Sequence, residues 1–173
     1  SPEWIEYIKG SIGDIAPHFT MKRMIDDYIS RFYDKEAARS KRLSQNDYAL
    51  AKEIVAWKEN IAQLWDGVKV IDVITSNVTN AVTGTEYETT VVIDTNGIGR
   101  DLHVEQVAYR AEGGEEILSS TSQFEVVKEE GNIITYSLKG TIKNAGVFRF
   151  GYRIYPYNNE LPHRQDFAYV RWI

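Results

Sequence analysis

The alternation of apolar and polar residues is clearest between residues 147 and 157. Aromatic or aliphatic side chains occupy every second position and arginines stand between them, in the order Phe148, Arg149, Phe150, Gly151, Tyr152, Arg153, Ile154. Successive side chains of a strand point to opposite faces, so this pattern predicts a strand with one aromatic and one polar face. We expect a core strand of an antiparallel sheet.

The first forty residues show helical spacing instead. A first helix is predicted at the start of the chain, because Pro2 suits a first helical turn and apolar residues recur at Trp4, Ile5, Ile8 and Ile12. Pro17 interrupts the helical pattern, and Thr20 can cap a second helix that runs to about Leu43. The second helix is predicted to carry an apolar stripe of Met24, Ile25, Tyr28, Ile29 and Phe32.

A third helix is predicted from Ser44 or Asn46 to Gly67, which suits a C-terminal cap. Its apolar positions are Leu50, Ile54, Trp57, Ile61, Leu64 and Trp65. The composition changes near Asp66-Gly67, where β-branched and aromatic residues begin to alternate. We therefore predict a domain boundary there, with a helical segment at 1–67 and a second domain at 68–173.

Seven strands are predicted in the second domain, at 68–76, 87–95, 102–110, 123–128, 133–142, 147–157 and 167–173. Glycine and asparagine turns separate them at intervals typical of an immunoglobulin-like or fibronectin-like antiparallel sandwich. Phe148 and Phe150 stand where a disulfide-bearing immunoglobulin domain has Tyr and Cys, which excludes that subclass. The predicted fold class is α+β, with about three helices followed by a seven-stranded β-sandwich.

Composition narrows the possible partners. The 173 residues carry a formal net charge of -5 and contain no cysteine. The negative charge argues against nucleic acid and acidic membranes as partners, since both require a basic surface. The lack of cysteine excludes disulfides and thiolate zinc sites and fits a reducing compartment, so we expect a cytoplasmic protein. Asn77-Val78-Thr79 has the spacing of a glycosylation acceptor, which matters only in a secreted protein.

Residues that could perform chemistry are scattered. His18, His103 and His163 lack the spacing of a metal site, and adjacent acidic pairs such as Asp26-Asp27 point apart on a helix. We predict no catalytic residue and no metal site. The aromatic residues near the end of the chain could stack against sugar rings, although alternation places about half of them in the core. They are Tyr152, Tyr155, Tyr157, Phe167, Tyr169 and Trp172.

Three segments resemble bacterial α-glucan phosphorylases, which act on glycogen and maltodextrin. Residues 16–33, with Phe19-Thr20, then Arg23 and Tyr28, resemble the crossover helix of that family. Residues 56–58 and 65–68 are similar to its helix-to-strand junction. Residues 150–156, 161–163 and 170–172 are similar to its extreme C-terminus, so the resemblance spans nearly the whole chain.

The resemblance implies a C-terminal fragment of a glycosyltransferase-B type enzyme. Such enzymes hold pyridoxal phosphate on a lysine and cleave α-1,4-glucan with phosphate to give glucose 1-phosphate. The cofactor lysine and the substrate site match no position here, so this chain alone is not expected to be catalytic or to hold a cofactor. The crossover helix is expected to pack against the rest of the polypeptide through Phe19, Thr20, Arg23, Met24, Tyr28, Ile29 and Phe32.

Three hypotheses for the function of the chain remain open. The first is a structural or oligomerisation module of the phosphorylase. The second is an accessory module that binds α-glucan through Tyr155, Tyr157 and Tyr169. The third is a free-standing fibronectin-like interaction domain unrelated to sugars.

Overall fold

A computed structural model describes residues 2–76 and 81–173 of the chain. The glycosylation-like triplet Asn77-Val78-Thr79 lies outside the described residues. The chain forms two compact units, Ser1–Glu53 and Ile54–Ile173. The first is helical, and the second combines the end of a helix with a β-sandwich.

The helical unit begins with α1 (Pro2–Gly10), α2 (Met21–Tyr28) and the start of α3 (Asp34–Leu64). Short π-helical turns at Ser11–Ile15 and Ile29–Tyr33 and a 3-10 turn at Ala16–Phe19 link them. Thr20 caps α2 as predicted, because its hydroxyl accepts a hydrogen bond from the backbone N–H of Arg23 at 3.2 Å. Ion pairs one helical turn apart, such as Lys22 with Asp26 at 2.6 Å, add further support to α2.

The helix bounds differ from those predicted, because α2 ends at Tyr28 and α3 begins at Asp34. The element α3 spans the region where a second helix was expected to end and a third to begin, and its backbone leaves helical geometry at that point. Gln45 is extended, and the three residues that follow it, Asn46 to Tyr48, have positive φ angles of 51°, 54° and 60°.

The last turns of α3 belong to the sandwich unit, where Ile54, Ile61 and Trp65 are buried. A 3-10 turn at Trp65–Gly67 ends the helix. Asn96 donates from its side-chain amide to the Leu64 carbonyl at 2.8 Å, so it satisfies a carbonyl at the helix end. A side chain at position 67 would overlap that amide, which explains why a glycine stands where the helix stops.

Eight antiparallel strands form two four-stranded sheets, which confirms the predicted α+β class with a β-sandwich. The first sheet has the order β1 (Lys69–Thr75), β2 (Glu86–Asp94), β6 (Ile133–Thr141), β5 (Glu125–Glu130). The second has the order β4 (Glu115–Gln123), β3 (Leu102–Glu112), β7 (Phe148–Pro156), β8 (Arg171–Trp172). The strand that the sequence did not predict is β4.

The core lies between the two sheets and under the end of α3. It is built from buried side chains of both sheets and of the helix end, including Ile61, Trp65, Val91, Ile93, Leu102, Val104, Ile134, Tyr136 and Ile154. Tyr136 bridges the sheets, because its hydroxyl donates to the Leu102 carbonyl at 2.7 Å. Burial raises the pKa of Tyr136, so the hydroxyl keeps the proton that this bond requires.

The edge strands are irregular. The pairing of β1 with β2 shifts around Ile71, that of β4 with β3 around Ser119, and that of β5 with β6 around Val127. Each of these edge strands therefore contains one extra residue, as in a β-bulge. The fourth edge strand, β8, has only two residues.

Candidate functional site

An exposed apolar surface runs along α2 and the turn after it. We call it the apolar helical surface and define it by the predicted stripe of Met24, Ile25, Tyr28, Ile29 and Phe32. Each of these residues is between 38% and 54% exposed. None of the described residues from 2 to 53 is buried, so the helical unit has no core of its own. The five side chains lie on α2 and on the π-helical turn Ile29–Tyr33 that follows it, and their packing at a crossover helix stays a prediction.

The other residues predicted to pack at the crossover helix lie beside this surface. Phe19 precedes the α2 cap and is 78% exposed. Thr20 is the cap itself, and Arg23 directs its guanidinium to Asp27 at 2.5 Å on the same helix. Thr20 and Arg23 thus fix the start and the charged side of α2 and leave the apolar side free.

A second candidate surface is the outer face of the sheet β4-β3-β7-β8. Leu102, Val104 and Ile154 point into the core, so the residues that alternate with them point outward. We call this surface the aromatic-charged face. It comprises His103, Glu105, Arg153, Tyr155, Tyr157, Arg164 and Trp172.

Glu105 is the centre of the aromatic-charged face. It is buried, and its carboxylate accepts hydrogen bonds from Arg153 Nε at 2.6 Å and from Arg164 Nη1 at 3.1 Å. The register of β3 against β7 places Glu105 directly opposite Arg153. Arg164 arrives from the 3-10 turn Arg164–Phe167, which His163 caps, and its guanidinium lies 5.3 Å from the centre of the Tyr155 ring. One carboxylate thus orients two planar cations.

His103 and two tyrosines form the aromatic end of the same face. The rings of His103 and Tyr157 stack with centroids 4.5 Å apart, and Gln123 contacts His103 Nδ1 at 2.5 Å. Burial lowers the pKa of His103, and the negative charge of Asp101 partly offsets this effect. Burial and the neighbouring Glu105 raise the pKa of Tyr155. Both side chains are therefore held in their neutral forms near pH 7.

Trp172 closes the other end of the face. It pairs with Arg153 across β8 and β7, and the Arg153 guanidinium lies 5.5 Å from the centre of the indole ring. A Cβ at Gly151 would lie 3.1 Å from Cζ3 of Trp172, so the glycine lets the indole settle close to the strand. Trp172 nevertheless remains 51% exposed.

The three tyrosines predicted to contact glucan do not lie together. Tyr155 and Tyr157 share the aromatic-charged face, but Tyr155 is only 7% exposed. Tyr169 lies against Trp65 and Phe167, with ring centroids 5.4 and 4.8 Å away, and packs on the core. Sequence reasoning did not place His103, Glu105 or Arg164 near these tyrosines. Glu105 stands in a predicted strand that also contains His103 and Gln106, so its charge did not mark it as a buried residue.

The described residues contain no group of three or more metal-binding side chains. No helix among them is long and apolar enough to cross a membrane. The lysines among the described residues are exposed, with the exception of Lys58. Lys58 is half-buried, and its Nζ donates to the Asp166 carbonyl at 3.0 Å. None of these lysines lies in a shielded pocket within the described residues, as a Schiff-base lysine would require.

Comparisons with known proteins agree on one family. Residues 65–173 match the family model described as the glycogen phosphorylase C-terminal domain. The chain is 30% identical to a maltodextrin phosphorylase of Thermococcus litoralis over 98% of its length, which covers 20% of that protein. It is 20% identical to a glycogen phosphorylase of Mycobacterium tuberculosis over 66% of its length, which covers 14% of that protein.

No solved structure matches the chain significantly. The chain spans about a fifth or less of the length of these curated relatives. The family model nevertheless covers well over half of the chain, including the whole sandwich. This chain therefore belongs to the glycogen phosphorylase C-terminal domain family.

Proposed function

We propose that this chain is the non-catalytic C-terminal region of an α-1,4-glucan phosphorylase. In this proposal its helical unit packs against the rest of the phosphorylase polypeptide, and the sandwich stabilises the end of that polypeptide. The complete protein would cleave α-1,4-glucan with phosphate to glucose 1-phosphate, in the cytoplasm, using pyridoxal phosphate. The names of the relatives support this reaction.

The apolar helical surface is the observation that carries the proposal. The helical unit exposes Trp4, Ile5, Ile8 and Ile12 in addition to the stripe on α2. Contiguous apolar patches of this kind mark interaction sites, because leaving them in water is unfavourable. A unit without buried residues is expected to fold stably only when another surface covers it. The relatives are about five times longer, so a covering surface from the same polypeptide is available in a complete phosphorylase.

We also propose that the boundary between the two domains lies at Gly67. Residues 1–67 would be the end of the catalytic domain and residues 68–173 the added sandwich. The helix α3 joins the two parts of the chain, and Ile54 and Ile61 in its final turns are buried in the sandwich unit. The uncovered helical unit argues against a free-standing interaction domain, which would be expected to bury its own apolar residues.

A charge on the apolar helical surface provides the test. In the full-length phosphorylase that contains this chain, Ile29→Asp should place a carboxylate in a buried contact and lower stability by more than about 2 kcal/mol. Phosphorolysis should fall in parallel. Ser30→Asp is the matched control, since it adds the same charge at a neighbouring exposed position. Equal stability and activity of the two variants would contradict the proposal.

Oligomerisation through the same surface is the competing explanation. It can be separated by sedimentation of the full-length enzyme, with and without Ile29→Asp. If the surface joins two copies, the variant should shift the enzyme towards monomers. If it packs within one polypeptide, the variant should lose stability without any change in the number of subunits.

A further inference from the structure

We infer that the aromatic-charged face is a binding site for linear α-glucan, in which Tyr157 and Trp172 are the two stacking rings. The choice of α-glucan as the ligand rests on the proposed function, whereas the site itself rests on geometry. It differs from the trio of tyrosines considered from the sequence, because Tyr155 is buried and Tyr169 packs on the core.

Tyr157 is held in a fixed orientation and remains accessible. His103 covers one side of its ring in a stack with an interplanar angle of 24°. The residue is still 41% exposed. An aromatic ring that is supported from behind and open in front loses little conformational entropy when a flat apolar surface packs on it. The C–H faces of a pyranose ring are such a surface.

Trp172 repeats the same arrangement at the other end of the face. The Arg153 guanidinium and the strand at Gly151 support the indole, and half of the residue remains exposed. Trp172 stands opposite Arg153, and Tyr157 follows Arg153 by four residues along the same strand direction. At about 3.3 Å per residue, the backbone positions that carry the two rings are roughly 13 Å apart along the strand direction. That separation is too wide for one sugar ring and suits a chain of several.

The space between the rings is polar and rigid. Glu105 holds Arg153 through Nε and one Nη, and it holds Arg164 through Nη1. A guanidinium carries five N–H donors, so each arginine retains donors beyond those directed at Glu105. Fixed planar donors between two stacking rings are suited to the hydroxyl groups of a polysaccharide, because no side chain has to be ordered on binding.

The mixed charge of the face favours a neutral ligand. One buried carboxylate faces two arginines, and the chain as a whole has a net charge of -5. A nucleic acid or another polyanion would require a larger basic surface. A neutral glucan has no such requirement. Binding of this kind would keep polymer near the rest of a phosphorylase and raise its effective concentration.

Titration of this 173-residue chain with maltoheptaose, followed by calorimetry, tests the inference. We expect saturable binding, and Tyr157→Ala and Trp172→Ala should each raise the Kd at least tenfold. Trp172→Phe keeps a stacking ring and should retain most of the affinity. Trp4→Ala is the matched control, because it removes an exposed tryptophan from the helical unit and should leave the Kd unchanged.

Several results would overturn the site. They are the absence of saturable binding at millimolar maltoheptaose, an unchanged Kd in both alanine variants, or equal binding of the β-1,4-linked cellohexaose. Thermal unfolding checks that each variant is folded. If Trp172→Ala is not folded, the Kd of Tyr157→Ala alone decides the test. Failure here is distinguishable from failure of the proposed function, because the Ile29→Asp experiment measures stability of the full enzyme and involves no glucan affinity.

Discussion

The indole N–H of Trp57 donates a hydrogen bond to a carboxylate oxygen of Asp101 at 2.8 Å, which ties α3 to the turn before β3. The same indole packs against Phe167, with ring centroids 5.3 Å apart. Trp57 therefore connects the helix end to two separate loops of the sandwich unit.

Trp57→Phe should keep the aromatic packing and lose the hydrogen bond to Asp101. We expect the free energy of unfolding to fall by about 1–2 kcal/mol, as for a bond to a charged acceptor. Urea denaturation of Trp57→Phe, Asp101→Asn and the double variant measures it. The double variant should be little less stable than either single variant. Fully additive losses would show that the two residues do not interact.

Glu105→Gln should destabilise the sandwich more than any comparable change at an exposed ion pair. The substitution leaves two arginines facing a neutral amide at a buried position, so we expect a loss of about 2–3 kcal/mol in urea denaturation. Glu116→Gln is the matched control on the same sheet, because Glu116 forms an exposed pair with Arg149 at 2.8 Å. That control should cost less than about 1 kcal/mol. Equal losses would contradict the central role of Glu105.

The lowered pKa of His103 makes a prediction about acid stability. The folded state favours the neutral imidazole, so below the ordinary histidine pKa of about 6.5 the unfolded chain binds more protons. The contribution of His103 is therefore present above that pH and is lost as the pH falls towards the lowered pKa. His103→Gln should lose less stability than the wild type between pH 7.5 and 5.5, as measured by urea midpoints. Parallel losses in the two proteins would count against this explanation.

Gly140→Ala should be destabilising even though its backbone conformation suits alanine. The added Cβ would lie 2.5 Å from Cζ of Tyr87. Tyr87 cannot move freely, because its hydroxyl accepts a hydrogen bond from Gln106 Nε2 at 2.9 Å inside the sandwich. We expect a loss of about 1–3 kcal/mol in thermal or urea unfolding. Gly13→Ala, which meets no atom within 4 Å, is the control that should not be destabilised.

The sequence predicted the strands whose apolar and polar residues alternate, and this alternation is strongest where one face of the strand is buried. The alternation from Phe148 to Ile154 exists because Ile154 and Tyr152 pack on the core. The edge strand β4 has every residue from Glu115 to Thr121 exposed, so no hydrophobic pattern marks it. The predicted last strand at 167–173 is shortened to Arg171–Trp172. Phe167 belongs instead to the 3-10 turn that His163 and Asp166 cap, and spacing does not reveal a local polar interaction of this kind.

The two candidate surfaces were accessible to sequence reasoning to different degrees. The stripe from Met24 to Phe32 follows from helical periodicity alone, because all its members lie on one element. The aromatic-charged face depends on the register that sets His103 opposite Tyr155 and Glu105 opposite Arg153. It also depends on a loop that brings Arg164 back to the sheet. Pairing register and loop path arise from tertiary packing, so the sequence pattern did not reveal them.

The bulges at Ile71, Ser119 and Val127 bear on the behaviour of the chain when many copies are crowded together. A regular exposed edge can recruit a strand from a neighbouring molecule and start a fibre, whereas a bulged or two-residue edge offers a poor template. The sandwich can therefore be concentrated, as on the surface of a polysaccharide particle, without a tendency towards amyloid-like growth. Any aggregation of the separated chain is expected to be amorphous or helix-mediated and to be suppressed by Ile29→Asp.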